Sequence, residues 1–464
     1  MLLKKENGWK KYDEIKKQAA FNFSEGYKRF LDLGKTEREV ITESLRIAKE
    51  NGFKNAEEMD KLNIGDKVYY QNRGKNIVLA IIGKKDIEQG LNYVVSHVDS
   101  PRLDLKQNPL TEELELAFLR THYYGGIKKY QWVSTQLALH GVVVLENGET
   151  VTISIGEKDE DPIFTIPDIL PHLSKKVQDD RKAREVIKGE ELRLLIGSIP
   201  TKIEDKEVKE KVKYAILERL NETYGMKEED FLSAEIEVVP AHKAKDVGLD
   251  RSMVGAYGQD DRICGYTSLQ AILEVAKEGT PEYTSICFLA DKEEIGSTGS
   301  TGLQSRYMEY FTGDIISKLK ENYNDQMLRR TFWNSWALSS DVNAAVNPIF
   351  KAAHEEQNAS KLNRGIVVTK YTGHGGKSGS NDADAEYVGE IRRILNKNNI
   401  LWQTGNLGKI DEGGGGTVAM FLAHYGIKTI DAGPAILAMH SPLEVSSKLD
   451  IYETYKTYKA FYKR

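Results

Sequence analysis

Residues able to ligate a metal or move a proton stand at the ends of apolar, strand-like runs: His97 with Asp99, Asp260, the pair Glu293 and Glu294, Asp341, and His440. Two histidines, a glutamate and two aspartates can hold two metal ions with one bridging carboxylate, leaving positions for water and substrate. They are scattered along the chain, so the fold rather than one local loop must assemble such a site. In Tyr93–Pro101 a strand ends in His-x-Asp, where His97 is a candidate ligand and Asp99 a candidate partner for its other ring nitrogen. A carboxylate in that place fixes the tautomer and strengthens the ligand. The apolar run Ser285–Ala290 ends in Asp291-Lys292-Glu293-Glu294. Adjacent carboxylates there can divide labour, one ligating metal and its neighbour serving as general base. Other acidic pairs, such as Glu112-Glu113, Glu190-Glu191 and Glu228-Glu229, lie in polar surroundings and read as solvated. Each candidate also has a structural reading. Asp260 and Asp261 precede a helix and suit a cap, Asp341 has the same alternative, and His97 and His440 each suit a satisfied structural histidine.

The elements that must position these groups are legible as periodicity. Trp9, Tyr12, Ile15, Ala19 and Phe23 recur at helical spacing, and residues 37–50 read as a second amphipathic helix. Short strands are expected at 68–70, 76–82 and 93–98. Residues 106–240 change character, with short strands at 114–116, 137–145 and 151–155, an Asn147-Gly148 hairpin signal, and a helix over 205–224. Beyond 262 helices are expected at 262–278, 303–321, 382–397 and 416–425, and strands at 284–290, 365–371, 399–403 and 427–431. That alternation predicts an α/β fold with a three-layer catalytic domain and a largely parallel central sheet. Because the ligand candidates resume only at Asp260, the catalytic domain is expected to comprise 1–105 and 241–464. A β-rich domain, 106–240, is inserted into it. In such sheets ligands bind beyond the carboxyl ends of the strands, where the candidates lie.

Composition narrows the partners. The 65 basic and 70 acidic residues are interspersed and give a net charge of −5, so no basic field points to nucleic acid. Cys264 and Cys287 are the only cysteines, too few for a disulfide framework or a Cys-rich zinc module. The charged start MLLKKENGWKK lacks a secretory apolar core, and no apolar run approaches the roughly 20 residues of a membrane span. A cytoplasmic protein acting on a small molecule or peptide is expected, with neither nucleic acid nor membrane as partner.

Taken together, Ser96-His97-Val98-Asp99-Ser100-Pro101, Asp291–Ser297, Ser340-Asp341 and Ala438-Met439-His440-Ser441 resemble the aspartyl aminopeptidase and vacuolar aminopeptidase I family. The likeness runs through nearly the whole chain in motif order, including Tyr124-Gly125-Gly126 and Leu137-Ala138-Leu139-His140-Gly141. It implies a zinc aminopeptidase with two Zn2+ per subunit, cobalt or manganese being alternatives, that removes the first residue of peptide substrates. It also implies a dimerisation domain set into the catalytic domain, and homo-oligomers in which dimers assemble into a tetrahedral dodecamer. By the same comparison Asp260 bridges the metals, His97 and Asp341 complete one, Glu294 and His440 complete the other, Glu293 is the general base and Asp99 orients His97.

Three departures from the family pattern stand out. Gln259-Asp260-Asp261 replaces Leu-Asp-Asn at the bridging site. Val342-Asn343 and Val346-Asn347-Pro348 replace histidine-containing segments. Family members with acidic preference carry a histidine in the insert that reaches the neighbouring subunit's site; here Tyr130 stands nearest that position, after Lys128 and Lys129.

Other readings remain open at this level. A carboxypeptidase or amide deacylase would use the same metal set. A non-catalytic scaffold would lose it. Gly-Lys-Ser at 376–378 lies between a strand and a helix like a phosphate-binding loop of a nucleotide hydrolase, but the first required glycine falls at Tyr371. The glycine run 413–416 suits either an anion site or chain flexibility.

Overall fold

The computed structural model describes residues 6–464. The chain forms two compact units. The first comprises the chain up to Ser100, Ala244–Met439 and Leu443–Arg464, and the second comprises Pro101–Lys243 with His440–Pro442.

The first unit is built on a nine-stranded sheet: β1 (Lys54–Asn55), β2 (Lys67–Asn72), β3 (Asn76–Ile81), β4 (Asn92–His97), β5 (Ser285–Ala290), β6 (Trp336–Ser339), β7 (Ile366–Thr369), β8 (Trp402–Thr404) and β9 (Lys428–Gly433). They lie in the order β1-β2-β3-β5-β4-β6-β9-β7-β8. The central run β5-β4-β6-β9 is parallel, while β2–β3, β3–β5 and β9–β7 are antiparallel. The strands read as near-continuous apolar runs because both faces are covered. Along β3, Ile77, Leu79 and Ile81 join one core, whereas Val78 and Ala80 join another. Along β5, Cys287 and Leu289 face the first core, and Ile286, Phe288 and Ala290 the second. That is the period of two expected of a strand. The first core packs on helices α1 (Glu14–Leu33), α2 (Glu37–Glu50), α3 (Gln259–Glu278), α6 (Ala385–Lys397) and α8 (Lys448–Tyr462). The second core packs on α4 (Tyr307–Leu319), α5 (Asp325–Asn334) and α7 (Ala419–His424). A fully buried Phe or Leu contributes about 1.5–3 kcal/mol, and Phe311, edge-on to Phe288 at 5.5 Å, is such a residue.

Local signals account for the element ends. Helix α2 opens with a capping box in which Thr36 receives the Glu39 N–H and the Glu39 carboxylate receives the Thr36 N–H. It spans the expected 37–50. Helix α3 has non-helical backbone at Asp260 and Asp261, so its first two carboxylates sit in a turn and not on the helical ladder. A five-stranded sheet in the same unit runs in the order 245–247, 253–256, 444–447, 435–437, 343–344, placing Glu444 opposite Ala256.

The second unit carries a six-stranded antiparallel sheet, ordered 150–155, 137–144, 234–240, 102–113, 116–124, 193–197. The strand expected at 114–116 is instead a hairpin turn: Leu114 and Glu115 both take positive φ, 51° and 59°, between the strands Arg102–Glu113 and Leu116–Tyr124. Two left-handed residues match the twist of the flanking strands. The strand-like alternation Leu114-Glu115-Leu116 hides that turn from periodicity. The helix expected from 205 begins at Lys211. Helix α5 has no counterpart among the expected elements, although Asn324 caps it by accepting from the N–H groups of Gln326 and Met327. Among the described residues no helix is long and apolar enough to cross a membrane.

Candidate metal centre

Three neighbouring parallel strands end at the same place. His97 is the last residue of β4, Asp291–Glu294 follow β5, and Asp341 follows β6. The rings and carboxylates then converge. His97 Nε2 lies 3.3 Å from Asp260 Oδ1, 3.9 Å from Glu293 Oε2 and 3.9 Å from Asp341 Oδ1. One potential ligand atom from each of His97, Asp260 and Asp341 falls within 4.8 Å of the others, and the same holds for His97, Glu293 and Glu294.

His97 is almost wholly buried, and its Nδ1 lies 3.0 Å from the Asp99 carbonyl and 3.3 Å from Asp99 Oδ1. A carbonyl only accepts, so Nδ1 carries a proton, and Nε2 is the ring nitrogen that faces Asp260. Asp99 does more than orient the ring. Its Oδ1 accepts the Glu293 N–H and its Oδ2 the Glu294 N–H, each at 3.1 Å. One buried carboxylate thus holds both the histidine and the backbone of the paired glutamates. That glutamate turn is entered through Lys292 and left through Gly296 and Ser297, all left-handed, with φ of 70°, 81° and 55°. Left-handed Lys and Ser cost about 1–2 kcal/mol each, which the Asp99 contacts and the Lys292 carbonyl, accepting the Ser297 N–H at 2.7 Å, help to hold.

Asp260 is fixed from three sides. Its N–H donates to Glu444 Oε2 at 3.1 Å and its carbonyl accepts the Ser100 hydroxyl at 2.7 Å. The adjacent Gln259 amide donates to the Glu444 and Val254 carbonyls at 2.7 and 3.1 Å. Glu444 is absent from the residues singled out by sequence, and Gln259 appears there only as a departure from the family pattern. No motif announces Glu444, because its role arises from a strand pairing with 253–256 almost 190 residues away.

The electrostatics are those of a cation site. Burial pushes Asp341 well above the usual carboxylate range, reinforced by Asp261 and opposed by His97. Asp261 is raised by burial too, against the charge of His97. Burial alone would lower the His97 pKa. The hydrogen bonds to Asp260 and Asp99 reverse it and hold it well above the usual value. Imidazole nitrogen and several desolvated carboxylate oxygens form a donor set that fits Zn2+, with Co2+ and Mn2+ chemically compatible.

His440 groups with the second unit, at a left-handed φ of 64°, and its Nδ1 donates to the Gly126 carbonyl at 2.8 Å. That bond leaves Nε2 as the nitrogen bearing the lone pair. Tyr130 stands exposed in the 3-10 turn Lys129–Trp132. The Lys129 ammonium donates to the Arg184 carbonyl at 3.0 Å and lies over the Tyr123 ring, while Lys128 precedes the turn. Asn343 is tied to Thr369 and Ser360 at 3.0 and 2.9 Å, a structural use of the departure there. The phosphate-loop reading fails on geometry: Lys377 is paired with Asp382 at 2.9 Å and stacked on Tyr371. The 413–416 run instead packs on that loop, the Gly415 carbonyl accepting the Gly373 N–H at 2.7 Å.

The chain as a whole resembles known proteins. Residues 30–462 match the family described as aminopeptidase I zinc metalloprotease (M18). A probable M18 family aminopeptidase 1 of Borreliella afzelii is 58% identical over 462 residues, covering 99% of this chain and 100% of its own. The crystal structure of an M18 family aminopeptidase from Thermotoga maritima, 46% identical, superposes with a TM-score of 0.94 over 100% of both chains. The yeast mApe1 dodecamer, 21% identical and covered at 96% of each chain, shares the fold with a TM-score of 0.75. The candidate metal centre, the fold and these likenesses converge: the chain belongs to the M18 family of aminopeptidase I zinc metalloproteases and is a zinc-dependent aminopeptidase.

Proposed function

We propose that the enzyme hydrolyses the first peptide bond of unblocked peptides with two zinc ions per subunit. Asp260 would be shared between them, His97 and Asp341 would hold one, and Glu294 and His440 would hold the other. Glu293 is the general base and Asp99 the positioning residue. The observation that carries this reading is the double grip of Asp99, which ties the Glu293–Glu294 backbone to the His97 ring in one rigid unit. Bound zinc would supply Lewis acidity toward the scissile carbonyl and acidify water. Glu293, part-exposed beside buried neighbours, takes the proton from water and returns it to the leaving amine. Asp99 and the turn around it keep that carboxylate at a fixed distance from His97. Cleavage of one residue at a time follows if the substrate's free amine meets the carboxylates that line the site.

Within this proposal the first unit is a three-layer catalytic domain and the 106–240 segment an inserted domain for dimerisation and substrate gating. Dimers associate further into a tetrahedral dodecamer, as the dodecameric yeast relative suggests. Exposed apolar residues in the second unit, among them Ile163, Leu173, Val177 and Ile199, suit such contacts. The enzyme acts in the cytoplasm. Lys128, Lys129 or Tyr130 takes the part of the inter-subunit histidine, and the first residue preferred is then set by the insert.

A panel of aminoacyl chromogenic substrates, with chelator and zinc add-back, tests the reaction. Glu293→Gln should keep its zinc and lose about 10²–10⁴-fold in kcat. Near-normal turnover in the zinc-replete variant would refute the base assignment, and hydrolysis of only amino-blocked substrates would favour a deacylase.

A further inference from the structure

At the opposite edge of the nine-stranded sheet, where β4, β5 and β6 begin, helices α6 and α8 end beside a cleft of about 510 Å³. Its polar lining includes six cations: Arg393 and Lys397 from α6, Lys456 and Lys459 from α8, and Lys463 and Arg464 beyond it. Ile394, Ile400 and Ala460 supply an apolar patch, and among the described residues no Asp or Glu side chain lines the cleft. This is a concentration of positive charge on a chain whose net charge is −5.

The surrounding carboxylates offset only part of that charge. Glu278 pairs with Lys459 and Lys463 at 2.5 and 2.6 Å, Glu453 with Lys456 at 2.9 Å, and Glu390 with Arg393. No ion pair engages Lys397 among the described residues. Arg464 likewise has no ion pair among the described residues. Its Nε donates to Asn92 Oδ1 at 2.7 Å and its guanidinium lies over the Trp336 and Tyr283 rings at 3.7 and 4.3 Å, but Nη2 is buried without a hydrogen-bond partner. A guanidinium does not shed its proton, so Arg464 keeps its positive charge in the cleft wall. Lysines at helix C-termini are usual complements to the helix dipole, which accounts for Lys397 and Lys459 but not for Arg464 or the apolar patch. An adjoining hollow shares Lys456 and Ile400 and adds Lys11 and Lys16, with Glu453 in its wall against Lys456.

We propose that this cleft binds a small polyphosphate anion, a di- or triphosphate group either free or borne on an organic moiety seated against Ile394, Ile400 and Ala460. Fork-like guanidinium and several ammonium donors match clustered phosphate oxygens. The site is distinct from the metal centre. Asn92, which holds Arg464, begins β4, and His97 ends it, a six-residue strand of about 20 Å.

Titration calorimetry on the zinc-loaded enzyme with inorganic tripolyphosphate, ADP and sulfate at matched ionic strength tests this. The expected result is saturable binding of tripolyphosphate or ADP below about 1 mM, weakened on the order of tenfold in the double variant Lys397→Glu/Lys463→Glu. Tighter binding of ADP would assign the organic moiety to the apolar patch, and equal binding would assign a free polyphosphate. Lysine acylation of the unmodified protein gives a second reading, with protection of Lys397, Lys456, Lys459 and Lys463 by the ligand expected even if the variant does not fold. Absence of saturable binding, heats unchanged in the folded variant as zinc sequestration would give, or equal protection by sulfate would each overturn the proposal.

Discussion

Replacing Asp99 by asparagine should uncouple the glutamate turn from the histidine that it accompanies. In the native site two backbone N–H groups, of Glu293 and Glu294, each donate to a separate carboxylate oxygen at 3.1 Å. An asparagine offers one oxygen and one NH2, so one N–H keeps an acceptor and the other faces a donor. Hydrogen bonds to a buried charge are worth about 1.5–3 kcal/mol, and a stranded buried donor costs about 1–3 kcal/mol. Allowing for relaxation, the net loss is about 2–4 kcal/mol, or roughly 30- to 1000-fold at 1.4 kcal/mol per tenfold. The histidine suffers less, because its Nδ1 also has the Asp99 carbonyl at 3.0 Å, which the substitution leaves intact. Turnover should therefore fall more than zinc affinity. Steady-state kinetics on a chromogenic aminoacyl substrate at saturating zinc, beside zinc content by elemental analysis, separates the two. A zinc-replete Asp99→Asn enzyme with kcat within a few-fold of wild type would refute the clamp. So would a variant that loses zinc but turns over normally per bound ion.

Glu444→Ala removes the acceptor of the Asp260 N–H, so zinc affinity should weaken about 10- to 100-fold in a metal-competition titration. Unchanged affinity would show that the turn at Asp260 holds itself. Asp431 on β9 is raised by burial to about 6, its carboxyl meeting the hydroxyls of Ser339 and Thr417. The folded state then keeps its proton above pH 4 while the unfolded chain loses it. This contribution is full below about pH 4 and lost as pH rises through 6, at most about 3 kcal/mol. Asp431→Asn should flatten the fall in thermal stability between pH 4 and 6, measured by calorimetry; parallel pH profiles would refute the assignment.

Long apolar strands and strongly amphipathic helices are legible because burial on two faces or one leaves its period in the residues; β3, β4, β5 and α2 show it. What escapes is whatever depends on a partner far away in the chain. The hairpin at Leu114-Glu115 has no glycine or asparagine to mark it, and α5 reads as a polar stretch with only Met327, Leu328 and Phe332 turned inward. At the candidate site, His97, Asp260, Glu293, Glu294 and Asp341 stand out by type and strand-end position, and the structure brings those five together. The roles of Gln259 and Glu444 do not stand out, because a buried amide and a carboxylate that bond to backbone some 185 residues away follow no spacing rule. The dual role of Asp99 is half visible: its nearness to His97 is in the sequence, its hold on residues almost 200 positions later is not.

That distance has a consequence for synthesis. Asp341 follows His97 by roughly 240 residues, and the two meet only because β6 settles beside β4. At about 5–20 residues per second, a ribosome spends on the order of ten seconds to a minute between them. Throughout that interval the emerging chain carries its histidine, and later its glutamates, without the aspartate that would gather them around a metal. On the proposed metal assignment the site therefore stays incomplete while the chain is being made, first for want of Asp341 and then, for about another hundred residues, of His440.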